Sequence, residues 1–337
     1  MAEPHSSALL VSSNVVFGAK TVPSEEVDAA FGMPVGKLRT RAGIVSVAHA
    51  SSAESEVTLS ARAAKAALRS VGVAPIEIDC ILATTETHHA VPSLAAQLHR
   101  AVGARLSCGA MDVGGACLGF VHALAVAKAL VKSGQAAMTL VVTADVHSRT
   151  LLPGRVAGEF GGLFGDGASA FVVRKDGAGR TRTDFVLREF FFGCASQYQQ
   201  AIQVSAEPND QLQVVFDGDA LSRAATARLA ECIEELERRS GAKRDHVAAF
   251  ATHQPNPRLV ALMAKKAGVP LEKFPLVADA RGNLGSTTCA AALHYALERV
   301  RNNHVGDPQP IFLASLGPGL LFGGGWLAPP LSGKKSS

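Results

Sequence analysis

The chain has 337 residues, of which 47% are hydrophobic and 18% are charged, and its formal net charge at pH 7 is +4. This composition is typical of a globular protein with a large interior and excludes a disordered chain, and the length suggests about two domains. The charge is too small, and the charged residues too scattered, to favour a nucleic-acid partner, although a local basic patch is compatible with them.

No targeting or membrane-spanning segment is recognisable. The apolar run at residues 9–17 is interrupted by Ser12, Ser13 and Asn14 and follows an acidic residue, so we expect no signal peptide, and no apolar run approaches 18 residues. The six cysteines show neither a CxxC pair nor a Cys/His metal spacing. We therefore expect a reduced, cytoplasmic protein with no metal and no cofactor.

The two halves of the chain repeat the same order of elements. In the first half, a helical run at residues 59–70 leads through a glycine turn into a buried strand at 78–85. In the second half, a helical run at 222–239 leads through a glycine turn into a strand at 247–252, which ends at His253. Both are amphipathic helices followed by short apolar strands.

The repeat continues in each half with a strand, a glycine turn, an alanine-rich helix and one more strand. The corresponding ranges are 110–113, 114–117, 118–132 and 139–144 in the first half and 276–279, 281–283, 288–300 and 311–315 in the second. Alternating strands and helices predict a parallel, helix-covered sheet in each half. Because the alanine-rich helices carry little charge, we expect them to be buried between the two sheets.

This pattern predicts an α/β protein with two pseudo-equivalent halves in a five-layer αβαβα arrangement. We place the first half at residues 1–180, the second at 181–328 and a Pro-, Ser- and Lys-rich tail, expected to fray, at 329–337. The segment at 181–218 has no counterpart in the first half, so it is either an insertion or the start of the second half.

Cys117 is a candidate nucleophile because of its position. It follows the small residues Gly114, Gly115 and Ala116, which permit a tight turn, and it begins a buried helix. The free N–H groups and the dipole of a helix's first turn stabilise an anion, so this position is expected to lower the pKa of the thiol. The alternative is that Cys117 is simply one of six buried cysteines that pack as small hydrophobes.

His253 and Asn283 are candidate partners of Cys117. His253 ends a buried strand before a loop-forming sequence, where a base or an oxyanion donor is often placed, although many such histidines are structural. Asn283 lies in the turn that corresponds to the Cys117 turn, so a pseudo-twofold axis would bring the two residues together. The alternative for Asn283 is a helix cap or turn residue.

Four segments resemble the β-ketoacyl-acyl-carrier-protein synthase III family, a branch of the thiolase superfamily. Residues 112–120 (DVGGACLGF) resemble its nucleophile segment, 253–256 (HQPN) its histidine loop and 282–283 (GN) its asparagine turn. Residues 163–168 (LFGDGA) look like a further family signature, at a tight turn entering a strand. The segments occur in the family's order over nearly the whole chain.

The resemblance implies a homodimer of thiolase fold that moves an acyl group from a CoA or acyl-carrier-protein thioester onto Cys117. His253 and Asn283 would then hold the thioester carbonyl of a malonyl-type extender and stabilise the enolate as carbon dioxide leaves. The carbanion would attack the acyl group on Cys117 and form a carbon–carbon bond. This is the reaction of a 3-oxoacyl-carrier-protein synthase III.

Two features bear on the acyl donor. Arg258, Lys265 and Lys266 resemble the family's carrier-protein docking patch, although they equally fit a solvated helix face. In residues 37–44, and at Val47, the chain lacks the tryptophan and the second arginine that resemble the stacking partners of the CoA adenine. We therefore expect a carrier-protein donor to be favoured over a CoA donor.

A second departure from the family pattern is the loop Gly317-Pro318-Gly319. The family commonly has Gly or Ala in place of Pro318, and the N–H of that residue is expected to help form the oxyanion hole. Proline has no N–H, so the N–H of Cys117 would carry more of this role. The same Gly-Pro-Gly loop occurs in active chalcone-synthase-like type III polyketide synthases. The two departures together suggest a role in specialised polyketide or modified fatty-acid metabolism.

Two other functions remain open: a non-decarboxylating acyltransferase of the same fold, and a non-catalytic partner subunit of a heterodimeric synthase. The presence of Asn283 favours condensation, and the complete set of three site residues argues against the partner subunit. A type III polyketide synthase is disfavoured by the loop at 253–256, and a degradative thiolase by the lack of cysteine beyond Cys289. The residues that either line an acyl tunnel or belong to the core are His88, His89, Phe160 and 190–192.

Overall fold

The computed structural model describes residues 7–177, 181, 183–206, 212–302 and 309–329. The strands in this part of the chain are β1 (Ala8–Phe17), β2 (Lys20–Pro23), β3 (Ser46–His49), β4 (Cys80–Thr84), β5 (Gly109–Asp112), β6 (Met138–Val146), β7 (Asp166–Lys175), β8 (Phe185–Cys194), β9 (Ile202–Ala206), β10 (Leu212–Phe216), β11 (Ala249–Thr252), β12 (Ile311–Gly317) and β13 (Leu321–Ala328). The α-helices are α1 (Ser24–Ala30), α2 (Glu56–Ser70), α3 (Leu94–Val102), α4 (Gly119–Lys132), α5 (Gly158–Gly161), α6 (Gly218–Ser240), α7 (Pro257–Ala267), α8 (Ala278–Arg281) and α9 (Ser286–Asn302).

Side-chain caps and glycines set the ends of the long helices. The side chains of Ser55, Asp217 and Asn256 accept a hydrogen bond from a first-turn N–H of α2, α6 and α7 respectively, which satisfies a donor that the helix itself leaves free. Gly241 and Gly268 end α6 and α7 in the left-handed conformation, with φ of 72° and 63°, which glycine adopts without steric cost. The helices predicted from the repeat are confirmed to within a few residues.

Nine strands form one continuous sheet in the order β11-β12-β13-β8-β1-β7-β6-β4-β5. Its two parts meet where β1 pairs with β8 through only two residue pairs, Leu9 with Val186 and Leu10 with Phe185. The expectation of wholly parallel sheets is wrong, because among the strands of the described residues parallel pairing is confined to β4 with β5 and β6, and to β11 with β12. β12 and β13 are joined by a three-residue turn, which is too short for the crossover that a parallel pair needs.

Three hydrophobic cores define the layers. The central core combines α4 and α9 with strands of both parts of the sheet and includes Phe120, Leu293, Leu82 and Leu313. A second core packs α2 and α3 against the outer face of the first part, and a third packs α6 and α7 against the outer face of the second. The αβαβα arrangement and the burial of the alanine-rich helices are confirmed, whereas the domain boundary at residue 180 stays a prediction.

The segment without a counterpart in the first half forms β8, a 3₁₀ turn and the β9–β10 hairpin. Residues 182 and 207–211 of this segment, and residues 330–337 of the predicted tail, lie outside the described part of the chain. Within the described part, the helices are too short or too polar to cross a membrane.

Candidate active site

Cys117 lies in a strained turn between β5 and α4. The turn is a 3₁₀ helix at Ala116–Leu118, in which Ala116 has a φ of 47° and the preceding Gly115 has a φ of 132°. Positive φ is rare for a residue with a side chain, so the predicted tight approach is confirmed. Gly119 follows, and a Cβ there would lie 2.1 Å from Thr84 Oγ1, so α4 starts in direct contact with β4.

The structure brings Cys117, His253 and Asn283 together at one cavity of about 450 Å³. The three residues are between 5% and 8% exposed, so their reactive groups face the cavity rather than bulk water. Most of the remaining wall is apolar. Its apolar residues are Met33, Leu38, Phe160, Leu163, Phe164, Ile202, Val204, Phe216, Leu221, Leu259, Leu262, Met263, Leu316 and Leu320.

The β9–β10 hairpin covers this cavity, with Ile202, Val204 and Phe216 in its wall. The segment that the repeat left unassigned therefore closes the site. Phe160 also lines the cavity, whereas His88, His89 and residues 190–192 are not among the described residues of its wall. Phe190–Phe192 of β8 pair instead with the glycines of β13.

Asn283 is held so that only one end of its amide remains for a ligand. Its Oδ1 accepts hydrogen bonds from the N–H of Gly285 at 3.0 Å and from Thr288 Oγ1 at 3.3 Å. Its backbone is fixed as well, because its N–H donates to Leu163 O at 2.8 Å and its C=O accepts from Gly165 N at 2.9 Å. The Nδ2 amine, a donor, is the group left to act on a ligand.

Gly165→Ala should destabilise the protein. Gly165 belongs to the 163–168 segment, whose backbone hydrogen-bonds to the backbone of Asn283. A Cβ at Gly165 would lie 2.1 Å from the carbonyl oxygen of Arg281, so backbone must move, and overpacking of this kind costs about 1–3 kcal/mol. Gly114→Ala is the matched control, since a Cβ there meets nothing within 4 Å. Urea denaturation of both variants checks this, and equal midpoints would contradict it.

His253 is neutral at physiological pH. Burial lowers its pKa to about 4, and the charge of Glu86 and the backbone of Gly285 offset this only in part. Its Nδ1 has no hydrogen-bond partner among the described residues. The adjacent Gln254 pins the loop, because its Nε2 donates to Pro275 O at 2.6 Å and its Oε1 accepts from Val277 N at 2.9 Å. A neutral imidazole can donate one N–H without bringing a positive charge.

Beneath Cys117 lies a cluster of charged residues that sequence reasoning missed. Glu86, which follows β4, lines the cavity with its side chain 17% exposed. His147 Nε2 lies 3.9 Å from Glu86 Oε2. Asp145 Oδ1 accepts from the backbone N–H of Glu86 at 2.6 Å, and its Oδ2 accepts from Ser286 Oγ at 2.7 Å. Glu86 is therefore fixed from behind by the end of β6 and the start of α9.

The charges of this cluster follow from burial and from one another. Burial alone would lower the pKa of His147, but Glu86 and Asp145 raise it to about 9. Burial alone would raise the pKa of Glu86, but His147, Cys117 and His253 together bring it below its ordinary value. Burial and the charge of Glu86 raise the pKa of Asp145 to about 7. At neutral pH the Glu86 carboxylate therefore faces a protonated His147.

The expectation that the helix start lowers the pKa of Cys117 is wrong. Burial raises the pKa of the thiol well above its ordinary value, and the negative charge of Glu86 raises it further. Asp145 adds to the same effect. The Cys117 thiol is therefore protonated at neutral pH, and a thiol must lose its proton to act as a nucleophile.

The pKa of His147 predicts that the protein loses stability in mild alkali. Its folded value of about 9 exceeds the ordinary value of about 6.5, so the stabilisation is complete below pH 6.5 and is lost as pH rises through 9. Between pH 7 and pH 9 this one group should lower the free energy of unfolding by about 2 kcal/mol, and His147→Gln should reduce the total fall by about that amount. Urea denaturation at both pH values tests this.

His246→Gln is the control, because His246 is exposed. If His147→Gln kept the wild-type pH dependence of stability, the raised pKa of His147 would be contradicted.

Exposed basic residues lie in the cavity wall and along α7. Arg258 starts α7 beside the cavity and is exposed, and Lys265 and Lys266 are exposed in the last turn of the same helix. Arg41 also lines the cavity, and its segment packs against the start of α7, since a Cβ at Gly43 would lie 3.6 Å from Arg258 Cγ. Val47, at the position of the missing arginine, is fully buried.

The Gly317-Pro318-Gly319 loop packs against the nucleophile turn. A Cβ at Gly317 would lie 3.1 Å from Gly115 O, and Ser315 Oγ donates to the carbonyl oxygen of Cys117 at 2.9 Å. Gly317 and Pro318 line the cavity, whereas Gly319 is not among the described residues of its wall. The end of β12 thus holds Cys117 in place.

The fold and this cavity define a thiolase-fold condensing enzyme, and comparison with known proteins agrees. The family model for 3-oxoacyl-[acyl-carrier-protein] synthase III matches residues 111–189, and the model for its C-terminal part matches residues 237–328. The chain is 32% identical over 291 residues to the β-ketoacyl-[acyl-carrier-protein] synthase III of Serratia proteamaculans, covering 84% of this chain and 87% of that protein. It is 30% identical to the Escherichia coli K12 protein of the same name, covering 79% and 83%.

Solved structures give the same result. The synthase III of Pseudomonas aeruginosa PAO1 superimposes with a TM-score of 0.84 at 24% identity, over 96% of this chain and 98% of that one. The priming β-ketosynthase of the R1128 polyketide pathway superimposes with a TM-score of 0.81 at 26% identity, over 98% and 99%. OleA of Xanthomonas campestris, at 17% identity and a TM-score of 0.85, over 96% and 99%, shares the fold.

The chain belongs to the 3-oxoacyl-[acyl-carrier-protein] synthase III family of the thiolase superfamily. It is an acyltransferase of the condensing type, as the sequence resemblance implied.

Proposed function

We propose that this enzyme forms a 3-oxoacyl thioester by decarboxylative condensation, with Cys117 as the acyl carrier and His253 and Asn283 as the activators of the extender. The observation that carries the proposal is the single cavity that all three residues share beneath an apolar wall. The apolar wall fits an aliphatic acyl chain on Cys117.

The geometry supports a division of roles. The Nδ2 amine of Asn283 and an N–H of the neutral His253 are two donors at one cavity. Donors of this kind hold the carbonyl oxygen of a malonyl thioester and stabilise the enolate that forms when carbon dioxide leaves. The enolate carbon then attacks the acyl carbonyl on Cys117, and the sulfur leaves as the carbon–carbon bond forms.

Four exposed basic residues support an acyl-carrier protein as the donor and acceptor of acyl groups. They are Arg41, Arg258, Lys265 and Lys266. Their positive charge complements an acidic carrier surface. Lys37, at the position of the missing tryptophan, forms an ion pair with Glu159 and offers no ring on which an adenine could stack. We therefore infer that the same acyl chain reacts faster from a carrier protein than from CoA.

A homodimer is also part of the proposal. β5 is the edge strand of the sheet and is exposed at all four positions, and an uncovered edge strand readily pairs with another chain. Met111 of this strand and the preceding Leu106 are exposed large hydrophobic residues. Light scattering should give about twice the chain mass of 34.9 kDa, and the mass of one chain would contradict the dimer.

We place the enzyme in specialised metabolism, such as polyketide or modified fatty-acid synthesis. The departures at Lys37, Val47 and Pro318 and the likeness to a polyketide priming ketosynthase support this role. Rescue of a strain that lacks its housekeeping synthase III would contradict it.

The condensation is tested by incubating the enzyme with a panel of acyl-carrier-protein and acyl-CoA thioesters and malonyl-carrier protein, with mass spectrometry of the products. A 3-oxoacyl-carrier protein supports the proposal. Transfer of the unextended acyl group to an oxygen, nitrogen or thiol acceptor would instead indicate the non-decarboxylating acyltransferase, and no reaction with any donor would indicate a partner subunit.

A further inference from the structure

The charged cluster behind Cys117 has no part in the roles described so far. The described residues that act on Glu86 come from three other elements: Asp145 and His147 from the end of β6, Cys117 from the turn before α4 and His253 from the loop after β11. Glu86 is thus a carboxylate in the wall of the same cavity as Cys117.

We propose that Glu86 is the catalytic base for acylation of the enzyme, removing the proton from Cys117 Sγ as the sulfur attacks the donor thioester. The inference rests on the proposed function of Cys117 as the acyl carrier. It adds a fourth catalytic residue to the three that the family resemblance supplied.

The first reason is position. Gly119, two residues after Cys117, packs against Thr84 at the end of β4, and Glu86 follows Thr84 by two residues, so the Cys117 turn and Glu86 lie at the same end of β4. Both side chains line the same cavity, and Glu86 Oε1 has no hydrogen-bond partner of fixed geometry among the described residues. A base must reach the proton that it removes directly or through one water, and a carboxylate that shares the cavity of Cys117 is placed for that role.

The second reason is that Glu86 is held ready in its ionised form. The His147 cation lies behind the carboxylate, at 3.9 Å from Oε2, and Asp145 fixes the backbone of Glu86 through its N–H.

The step balances without any other reactant. The S–H bond of Cys117 breaks as the new carbon–sulfur bond forms, and the proton passes to a carboxylate oxygen of Glu86. When the tetrahedral intermediate collapses, the bond from the acyl carbon to the donor sulfur breaks. The proton on Glu86 then passes to the departing thiolate, so that the free thiol of CoA or of the carrier protein leaves and the carboxylate is restored.

The test is the rate of acyl addition to Cys117 as a function of pH, measured by rapid quench and intact-protein mass spectrometry with one acyl donor and no malonyl thioester. For the wild type, the rate should be nearly constant from pH 6 to 8.5, because Glu86 is ionised throughout. Glu86→Gln should be slower by at least about 100-fold at pH 7. Its rate should rise by about tenfold per pH unit, because only the rare thiolate can then react. Glu86→Asp should recover part of the rate and the flat profile.

The controls separate a base from a structural residue. Glu235→Gln makes the same change on the surface of α6, where Glu235 pairs with Arg238 and Arg239, and should leave the rate within about twofold. If Glu86→Gln does not fold because His147 has lost its ion-pair partner, the double variant with His147→Gln removes both members of the pair and should show the same slope. A reduced rate with a flat pH profile, or no reduction, would overturn the role of Glu86 alone. Wild type that takes no acyl mass from any donor would overturn the proposed function together with this inference.

Discussion

Cys117→Ala should abolish both acyl addition to the enzyme and 3-oxoacyl product formation, with a loss of at least about 1,000-fold in turnover. The reason is that Cys117 is the one cysteine among the described residues of the cavity wall, so the proposed thioester has no other site there. The turn around Cys117 is strained at Ala116 and held by Ser315, so it presents one sulfur to the cavity. Intact-protein mass spectrometry after incubation with an acyl donor measures the effect directly.

Cys194→Ala is the matched control for this prediction. Cys194 is the exposed member of the six cysteines, so it is the one most open to adventitious acylation. Its substitution should leave the acyl mass unchanged. An acyl mass that persists on Cys117→Ala, or that disappears on Cys194→Ala, would show that Cys117 is not the carrier.

Asn283→Ala and His253→Ala should separate the two half-reactions. We expect each variant to take the acyl group on Cys117 at a rate within about threefold of wild type, and to form 3-oxoacyl product about 100- to 1,000-fold more slowly. The reason is that each substitution removes one donor to the extender carbonyl and leaves Glu86 and Cys117 intact. Stopped acylation assays and product assays on the same preparation measure the two rates.

Asn302→Ala, an exposed substitution at the end of α9, is the control for loss of an asparagine and should be silent in both assays. If Asn283→Ala and His253→Ala lose acylation and condensation in equal proportion, then the two residues serve the nucleophile rather than the extender. The proposed division of roles would then be wrong.

Much of this site was predictable because neighbouring residues in the sequence and the internal repeat single out its members. Cys117 stands out after Gly114-Gly115-Ala116, and His253 and Asn283 stand at the corresponding places of an internal repeat. The structure places all three at one cavity. The five layers followed from the same repeat, because two alanine-rich helices of low charge can be buried only if sheets cover both sides.

Glu86 was missed although the repeat contained a signal for it. The strand at 78–85 is followed by Glu86 where the strand at 247–252 is followed by His253, so the two side chains occupy matching positions in the two halves. An acidic residue after a strand is usually a solvated loop residue. What makes this one different is its contact with Asp145 and His147, which are about 60 residues away in the chain and which local patterns do not reveal.

The difference between local sequence patterns and long-range contacts also explains why the expected pKa shift of Cys117 was wrong. A helix start is visible in the sequence and favours a thiolate. The burial of the thiol and the neighbouring Glu86 carboxylate arise only from the tertiary fold, and they act more strongly in the opposite direction. The hairpin that closes the cavity was likewise unassigned, because the role of Ile202 and Phe216 depends on the α5 and α7 residues that they meet.

The most direct test of the central claim is a single-turnover experiment on the acylated enzyme. The enzyme is loaded from an acyl donor, freed of excess donor and mixed with malonyl-carrier protein labelled in its free carboxyl group, and the acyl mass on Cys117 and the released carbon dioxide are followed together. We expect one carbon dioxide for each acyl group that leaves the enzyme, with the appearance of one 3-oxoacyl-carrier protein. Acyl groups that remain on Cys117, or that leave without release of carbon dioxide, would contradict the decarboxylative condensation.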